Sequence, residues 1–206
     1  MRLGEVLGMS ERRAEEIQQA IRKKYAQVSY SVAGKFRYLT GKAGAAALGY
    51  ELSPLRELPD EVFEAFCGVG NPFALGPLRS GETILDVGCG AGVDVILASR
   101  LVGPNGRVCG IDLTPQMIER ARVNLAKAGA NNANAVVAGS EAMPYDDNTF
   151  DVVTSNGVLN LSPLKEQSLH EIFRVLKPGG RLQIADIVLN EDLPAEMTNS
   201  LEAWSD

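Results

Sequence analysis

Two carboxylates and three glycines in the middle of the chain have the types and spacing to hold a small ligand. Thr83, Ile84 and Leu85 lead into Asp86, and glycines follow at Gly88, Gly90 and Gly92, with Cys89 between the first two. An apolar, β-branched run that ends in glycines reads as a buried strand turning sharply into a helix, here from Val93. Backbone without Cβ atoms lets a ligand lie directly against it. A second acidic residue, Asp112, ends the short run that begins at Arg107, 24 residues beyond Gly88. That is close to the roughly 20-residue spacing at which a carboxylate grips ribose hydroxyls.

The dinucleotide-binding fingerprint is not met. That fingerprint needs glycines at the first, third and sixth positions of the loop, and the sixth position here is Val93. Asp86 would also repel a pyrophosphate, which such loops hold through N–H groups and the positive end of a helix. Both features argue against a nicotinamide-dependent oxidoreductase. S-adenosylmethionine carries a sulfonium and an ammonium and no phosphate, so it is the expected cofactor. No acid–base constellation accompanies the loop. The one histidine, His170, falls mid-helix among Leu169, Ile172 and Phe173, the pattern of a surface or packing residue. Displacement at a sulfonium by a soft or ionised nucleophile needs no base, and holding donor and acceptor in line can supply about 7–11 kcal/mol.

Several elements must position these residues. From Thr83 onward strand and helix patterns alternate, which predicts an α/β fold with a parallel sheet covered by helices on both faces. Strands are expected at 83–87, 107–111, 134–138, 151–155 and 181–186, and helices at 93–101, 115–128 and 165–176. The last helix should stop at Lys177, Pro178, Gly179 and Gly180. Ahead of this core, Ser10 caps a helix to about Val28, with Ile17, Ile21, Tyr25 and Val28 on one stripe. Residues 31–49, rich in Gly and Ala, read as a connector or lid, and a short helix capped by Asp60 should run to Phe66. The expected organisation is an N-terminal helical appendage over 1–75 and a cofactor-binding core over 76–206.

Composition excludes several classes. The chain has 206 residues, 45% hydrophobic and 22% charged, enough for one full core and an appendage. A net charge of −6 argues against nucleic acid as a partner, since phosphates require clustered Lys and Arg. The opening residues hold no sustained apolar run, and nothing approaches the roughly 20 apolar residues that span a bilayer. Three unpatterned cysteines give no zinc or disulfide framework and fit a reducing, cytoplasmic compartment. No metal site is expected.

The sequence resembles the class I S-adenosylmethionine-dependent methyltransferases from about Gly49 to Asp186. The likeness is carried by Leu-Asp-Val-Gly-Cys-Gly-Ala-Gly (85–92), Gly-Ile-Asp-Leu-Thr-Pro-Gln-Met (110–117), Glu-Ala-Met-Pro-Tyr-Asp-Asp-Asn-Thr-Phe-Asp-Val-Val (141–153) and Glu-Ile-Phe-Arg-Val-Leu-Lys-Pro-Gly-Gly (171–180). The last two are characteristic of the branch that includes the quinone C-methyltransferases. Gly-Asn-Pro-Phe-Ala-Leu (70–75), Ser-Arg-Leu-Val-Gly-Pro-Asn-Gly (99–106) and Ser-Asn-Gly-Val-Leu-Asn-Leu-Ser-Pro (155–163) are most similar to the arsenite methyltransferases.

The resemblance implies a doubly wound, Rossmann-like, mostly parallel sheet. The family's fold continues with a helix and two more strands, which this length does not accommodate, so 181–186 is expected as an edge: either a second chain covers it, or the sequence is a piece of a longer protein. It also implies roles. Gly88, Cys89, Gly90 and Gly92 should line the methionine and ribose portion, and Asp86 should lie near its ammonium or its water shell. Asp112 should take the ribose hydroxyls, and Leu113 and Met117 should pack the adenine. The family's acidic residue near 139 is Gly139 here, leaving the backbone of Ser140 or the carboxylate of Glu141 to meet the ring. Asn156 should face the methyl group, with Asn160 and Cys67 as further candidates on the acceptor side. N-terminal helices in such enzymes fold over the cofactor.

Arsenite methyltransferases hold As(III) with cysteine thiolates, soft ligands for a soft metalloid. The corresponding positions here carry Gly157 and Val69, and a third would fall just beyond Trp204. Cys67, two residues from Val69, is the one thiol placed to substitute, while Cys89 and Cys109 read as packing residues. The expected activity is therefore methyl transfer to a small-molecule acceptor, arsenite methyltransferase-like. The alternatives are an inactive cofactor-binding partner subunit and a quinone-type C-methyltransferase.

Overall fold

The computed structural model describes residues 10–188, 200 and 204. Ser10 caps α1 (Glu11–Val28) by accepting the Arg13 N–H at 3.2 Å, and Ala14, Ile17, Ile21 and Val28 form its buried face. The segment expected as a connector is more ordered than its glycines suggest. Gly41–Ala47 form a short helix, α2, with Gly44 and Ala45 buried. Gly44 is needed there because a Cβ would run into the Leu39 carbonyl. The helix expected over 60–66 is replaced by a single 3-10 turn at Asp60–Val62. Asp60 does not cap it; its carboxylate is engaged by Lys42 Nζ at 2.6 Å. Further 3-10 turns lie at Ser53–Leu55 and Pro72–Leu75.

The core alternates as the pattern predicts: β1 (Thr83–Val87), α3 (Val93–Val102), β2 (Arg107–Asp112), α4 (Pro115–Lys127), β3 (Ala133–Val137), β4 (Phe150–Asn156), α5 (Lys165–Val175) and β5 (Leu176–Ala185). The five strands form one parallel sheet in the order β3-β2-β1-β4-β5. Being covered on both faces, the central strands are largely buried and mostly apolar, with Asp86 of β1 and Thr154 and Ser155 of β4 as buried polar members. Ile84 packs with Ile96, Val108 and Leu125 on the α3–α4 side, and Leu85 packs with Ile111, Phe150 and Ile172 on the α5 side. Tyr50, Leu55, Val62, Phe63 and Phe66 join the first of these clusters, so the N-terminal segment and the sheet share apolar packing.

One boundary differs. α5 stops before Lys177, but β5 begins at once with Leu176 opposite Phe150 and resumes with Arg181 opposite Val152. Residues 177–180 bulge out between these pairs, and Lys177 returns to bond Asp151 at 2.8 Å. The proline and glycines thus end the helix as expected while sitting inside an irregular strand. No helix among the described residues is long and apolar enough to cross a membrane. β5 has no second strand neighbour among the described residues.

Candidate cofactor and acceptor site

Strand order reverses at β1, which lies between β2 and β4, and a parallel sheet opens a crevice where such a reversal occurs. The glycine loop fills its floor. Gly88, Gly90 and Gly92 have φ of 71°, 49° and 89°, left-handed values that a side chain would strain. A Cβ at Gly88 would meet Val158, whereas one at Gly90 would meet nothing. Gly90 is therefore where the backbone stays bare towards the cavity. Gly92 does something else: it precedes α3 and lies against Ala121, outside the cavity lining. Cys89 lines the cavity, and its sulfur also fills the space above Gly110.

Three carboxylates surround this loop, Asp86 and Asp94 buried and Asp112 half-buried. Asp112 spans it, its Oδ2 accepting the Gly90 N–H at 3.0 Å and its Oδ1 the Thr114 N–H at 2.8 Å. Asp86 accepts the Thr154 hydroxyl at 2.7 Å. Asp94, in the first turn of α3, accepts the Tyr50 hydroxyl at 3.0 Å. Burial holds all three proton affinities above the ordinary carboxylate value. Asp86 is raised further by the neighbouring Asp94 charge, and Asp94 itself is pushed up to about 6. No Lys or Arg among the described residues offsets these charges. A buried carboxylate without a cation is costly, and a cationic ligand relieves that cost.

Asn156 ends β4 and lines the cavity. Its side chain serves as a bridge, Oδ1 accepting the Val69 and Gly70 N–H groups at 2.9 and 3.2 Å. Its Nδ2 bonds the Tyr50 hydroxyl and the Gly70 carbonyl, each at 2.9 Å. Gly68 must be glycine for this packing, since a Cβ would strike Nδ2. Asn160 lies outside the lining, with its backbone N–H on Asp186. Tyr50 and Asp94 were not among the residues expected at the site. An acid just after the last glycine was the available signal for Asp94; nothing local marks Tyr50.

On the β2–β3 side, Leu113, Met117, Ser140 and Glu141 line the cavity. A Cβ at Gly139 would come within 2.9 Å of Glu141 Oε2 and 3.5 Å of Leu113. The Glu141 carboxylate thus occupies the ground that a side chain at 139 would claim. Ser162 fixes it by donating to Oε1 at 2.7 Å, and the Ser140 and Ser168 hydroxyls continue the chain. Ile21, Tyr25, Phe66 and Cys67 from the N-terminal segment also line the cavity, Tyr25 and Cys67 packing in one cluster with Met117. Burial pushes the Cys67 thiol up to about 12, helped by the Asp112 charge, so it is protonated at neutral pH. Val69 and Gly157 touch: a Cβ at 157 would lie 3.2 Å from both Val69 methyls.

Known proteins match this arrangement. Residues 78–205 fit a family model described as a methyltransferase domain. An arsenite methyltransferase of Halobacterium salinarum is 40% identical over 158 residues, 77% of this chain and 40% of that protein. A ubiquinone/menaquinone biosynthesis C-methyltransferase of Klebsiella pneumoniae is 42% identical over 130 residues, 62% of this chain and 51% of that one. The crystal structure of an arsenic(III) S-adenosylmethionine methyltransferase from Chlamydomonas reinhardtii aligns with a TM-score of 0.64 and 35% identity, covering 71% of this chain and 52% of that one. The chain spans about half the length of the curated relatives it matches, or less. By the extent of the family match, the chain belongs to the methyltransferase-domain family of class I, S-adenosylmethionine-type fold.

Proposed function

We propose that the chain transfers a methyl group from S-adenosylmethionine to a small-molecule acceptor, in the manner of the arsenite methyltransferases. The observation that carries this reading is the set of three carboxylates, two buried and Asp112 half-buried, around a bare glycine loop with no cation among their electrostatic partners. They suit a ligand that brings positive charge and no phosphate. Asp112 would hold the ribose hydroxyls, Leu113 and Met117 the adenine face, Glu141 the adenine amino group, and Asp86 with Gly88 the methionine end. The cofactor supplies an electrophilic methyl on a sulfonium and leaves as a neutral thioether.

The chain's own part is to orient and to exclude water. No side chain at the site is placed as a strong base, so the acceptor must arrive with an available lone pair. Cys67 is protonated and stands alone on its wall, and Val69 and Gly157 occupy the positions where arsenic-binding thiolates are expected. The first acceptor to test is accordingly arsenite already carrying small thiols. A carbon acceptor of the hydroquinone type is the second reading, favoured by the apolar wall of Ile21, Phe66, Val158 and Leu161. The same reading makes residues 1–75 a lid on a core at 76–206, a second copy the cover for the β5 edge, and the cytoplasm the compartment of its three free thiols.

The test is calorimetric titration with S-adenosylmethionine, S-adenosylhomocysteine and NAD, followed by turnover on arsenite with glutathione and on a hydroquinone. Micromolar binding of the first two and transfer to either acceptor supports the proposal. Binding without turnover would make the chain a partner subunit, and no binding would overturn the cofactor assignment.

A further inference from the structure

Positive charge is gathered into one stretch of an acidic chain. Residues 17–50 hold Arg22, Lys23, Lys24, Lys35, Arg37 and Lys42 and no Asp or Glu, while outside them 14 Lys and Arg stand against all 26 Asp and Glu. Lys42 is engaged by Asp60. Arg22, Lys23, Lys35 and Arg37 have no carboxylate partner among the described residues, and all of them but Lys35 are exposed. Apolar side chains stand out between these charges. Tyr30 is 76% exposed and Leu39 64%, both in the loop 29–40 that follows α1, and neither belongs to an apolar cluster of the core.

The loop that carries them is firmly tied down. The Phe36 ring lies 6.5 Å from Tyr25 and 5.2 Å from Tyr38, with Lys24 Nζ 5.2 Å above it. Lys35 Nζ donates to Gln27 Oε1 at 3.3 Å. The Tyr38 hydroxyl donates to the Cys67 carbonyl at 2.9 Å, and Tyr25 and Cys67 line the cavity. Arg22 lies one turn beyond Gln18, another lining residue, on the same flank of α1. The charged and apolar tips therefore form a fixed surface continuous with one side of the cavity.

We propose that this face, residues 22–24 of α1 with the loop 29–40, docks on an anionic lipid bilayer. Clustered Lys and Arg beside exposed aromatic and aliphatic side chains bind such a surface by charge attraction and apolar burial together. The four unpaired cations meet the lipid phosphates, and Tyr30 and Leu39 enter the headgroup boundary. The acidic remainder of the chain does not cancel this attraction, because salt screens charges beyond about 8 Å while the patch itself makes contact. A nucleic acid would meet the same cations, but it binds exposed side chains by stacking on rings, and Leu39 has none. Docked in this way, the Tyr25 and Cys67 side of the cavity adjoins the bilayer. The acceptor class this favours is one apolar enough to partition into lipid. The docking itself rests neither on the cofactor reading nor on the acceptor's identity.

Co-sedimentation of the full chain with vesicles tests the proposal, using phosphatidylcholine alone and phosphatidylcholine with about one-third phosphatidylglycerol. At about 0.1 M salt the anionic vesicles should bind at least about tenfold more tightly, and about 0.5 M salt should remove most of that difference. Arg22→Gln, Lys23→Gln and Arg37→Gln together should cost more than about tenfold. Tyr30→Ser with Leu39→Ser should weaken binding at both salt concentrations. Arg56→Gln with Arg107→Gln, exposed cations outside the patch, should cost less than about twofold. All the substituted side chains are exposed, and an unchanged Tm checks that each variant is folded. No binding to either vesicle, equal binding to both, or a folded patch variant that binds like the native chain overturns the proposal. So does single-stranded RNA that displaces the chain from vesicles at equal phosphate concentration, which assigns the patch to nucleic acid.

Discussion

At the scale of single residues, Asp94 has a consequence for the ligand-free protein. Its folded-state pKa is about 6 against an ordinary 3.8, because burial disfavours the charge. Between these values the folded state binds more protons than the unfolded one, so this group's contribution makes stability fall as pH rises. The difference corresponds to on the order of 3 kcal/mol once both states are ionised. Asp94→Asn should therefore gain in Tm relative to the native chain from pH 4.5 to 7.5, with paired carboxylates such as Glu82 and Glu171 cancelling in the comparison. A flat difference would mean that the carboxylate is not held up by burial. Asp112 should behave differently, since both its oxygens tie the loop to the β2–α4 turn. Asp112→Ala should weaken S-adenosylhomocysteine by at least tenfold, and unchanged affinity would remove Asp112 from the site. Asp86 and Asp112 were legible because each ends an apolar strand run. Asp94 was not, because an acid in a first helical turn is ordinary, and its partner Tyr50 lies 44 residues away.

At the scale of elements, local pattern succeeded where an element has enough apolar residues to declare its period. β1 and α3 begin at the residues expected, and α1 buries three of its four predicted stripe residues together with Ala14. The 41–75 segment was misread because its turns are short and set by distant contacts. Lys42 takes Asp60 from its capping role, and Asn156 holds the backbone at 69–70 from the far end of β4. Asn124 on α4 is the clearest such tie, its Nδ2 donating to Ala91 in the glycine loop at 2.9 Å and to Val62 at 3.4 Å. Asn124→Ala leaves two buried carbonyls without that donor and should cost about 1–3 kcal/mol in denaturant unfolding. It should also weaken S-adenosylhomocysteine, because Ala91 lies within the loop. Loss of stability with full affinity would show that the loop holds its shape without α4.

At the scale of the whole molecule, the buried carboxylates make stability and ligand binding two sides of one quantity. The ligand-free chain keeps Asp86 and Asp94 buried and Asp112 half-buried with no Lys or Arg among their electrostatic partners, and a ligand that brings an ammonium and binds only the folded state shifts unfolding by mass action. At one hundred times its dissociation constant, a single-site ligand adds about 2.7 kcal/mol. For a chain of 206 residues each kcal/mol raises Tm by about 2–4 °C, so S-adenosylhomocysteine at that excess should raise Tm by about 5–10 °C. NAD should give no shift, since its pyrophosphate would face the same three carboxylates and Val93 stands where the third glycine would be needed. Protonation works against the ligand, because a neutral Asp94 no longer adds to the negative field around the loop. The shift from S-adenosylhomocysteine should accordingly shrink as pH is lowered through about 6, at ligand concentrations held fixed. A shift that is constant from pH 5 to 8 would mean that the ligand does not draw on the Asp94 charge, and equal shifts from NAD would mean that the cavity does not exclude a pyrophosphate.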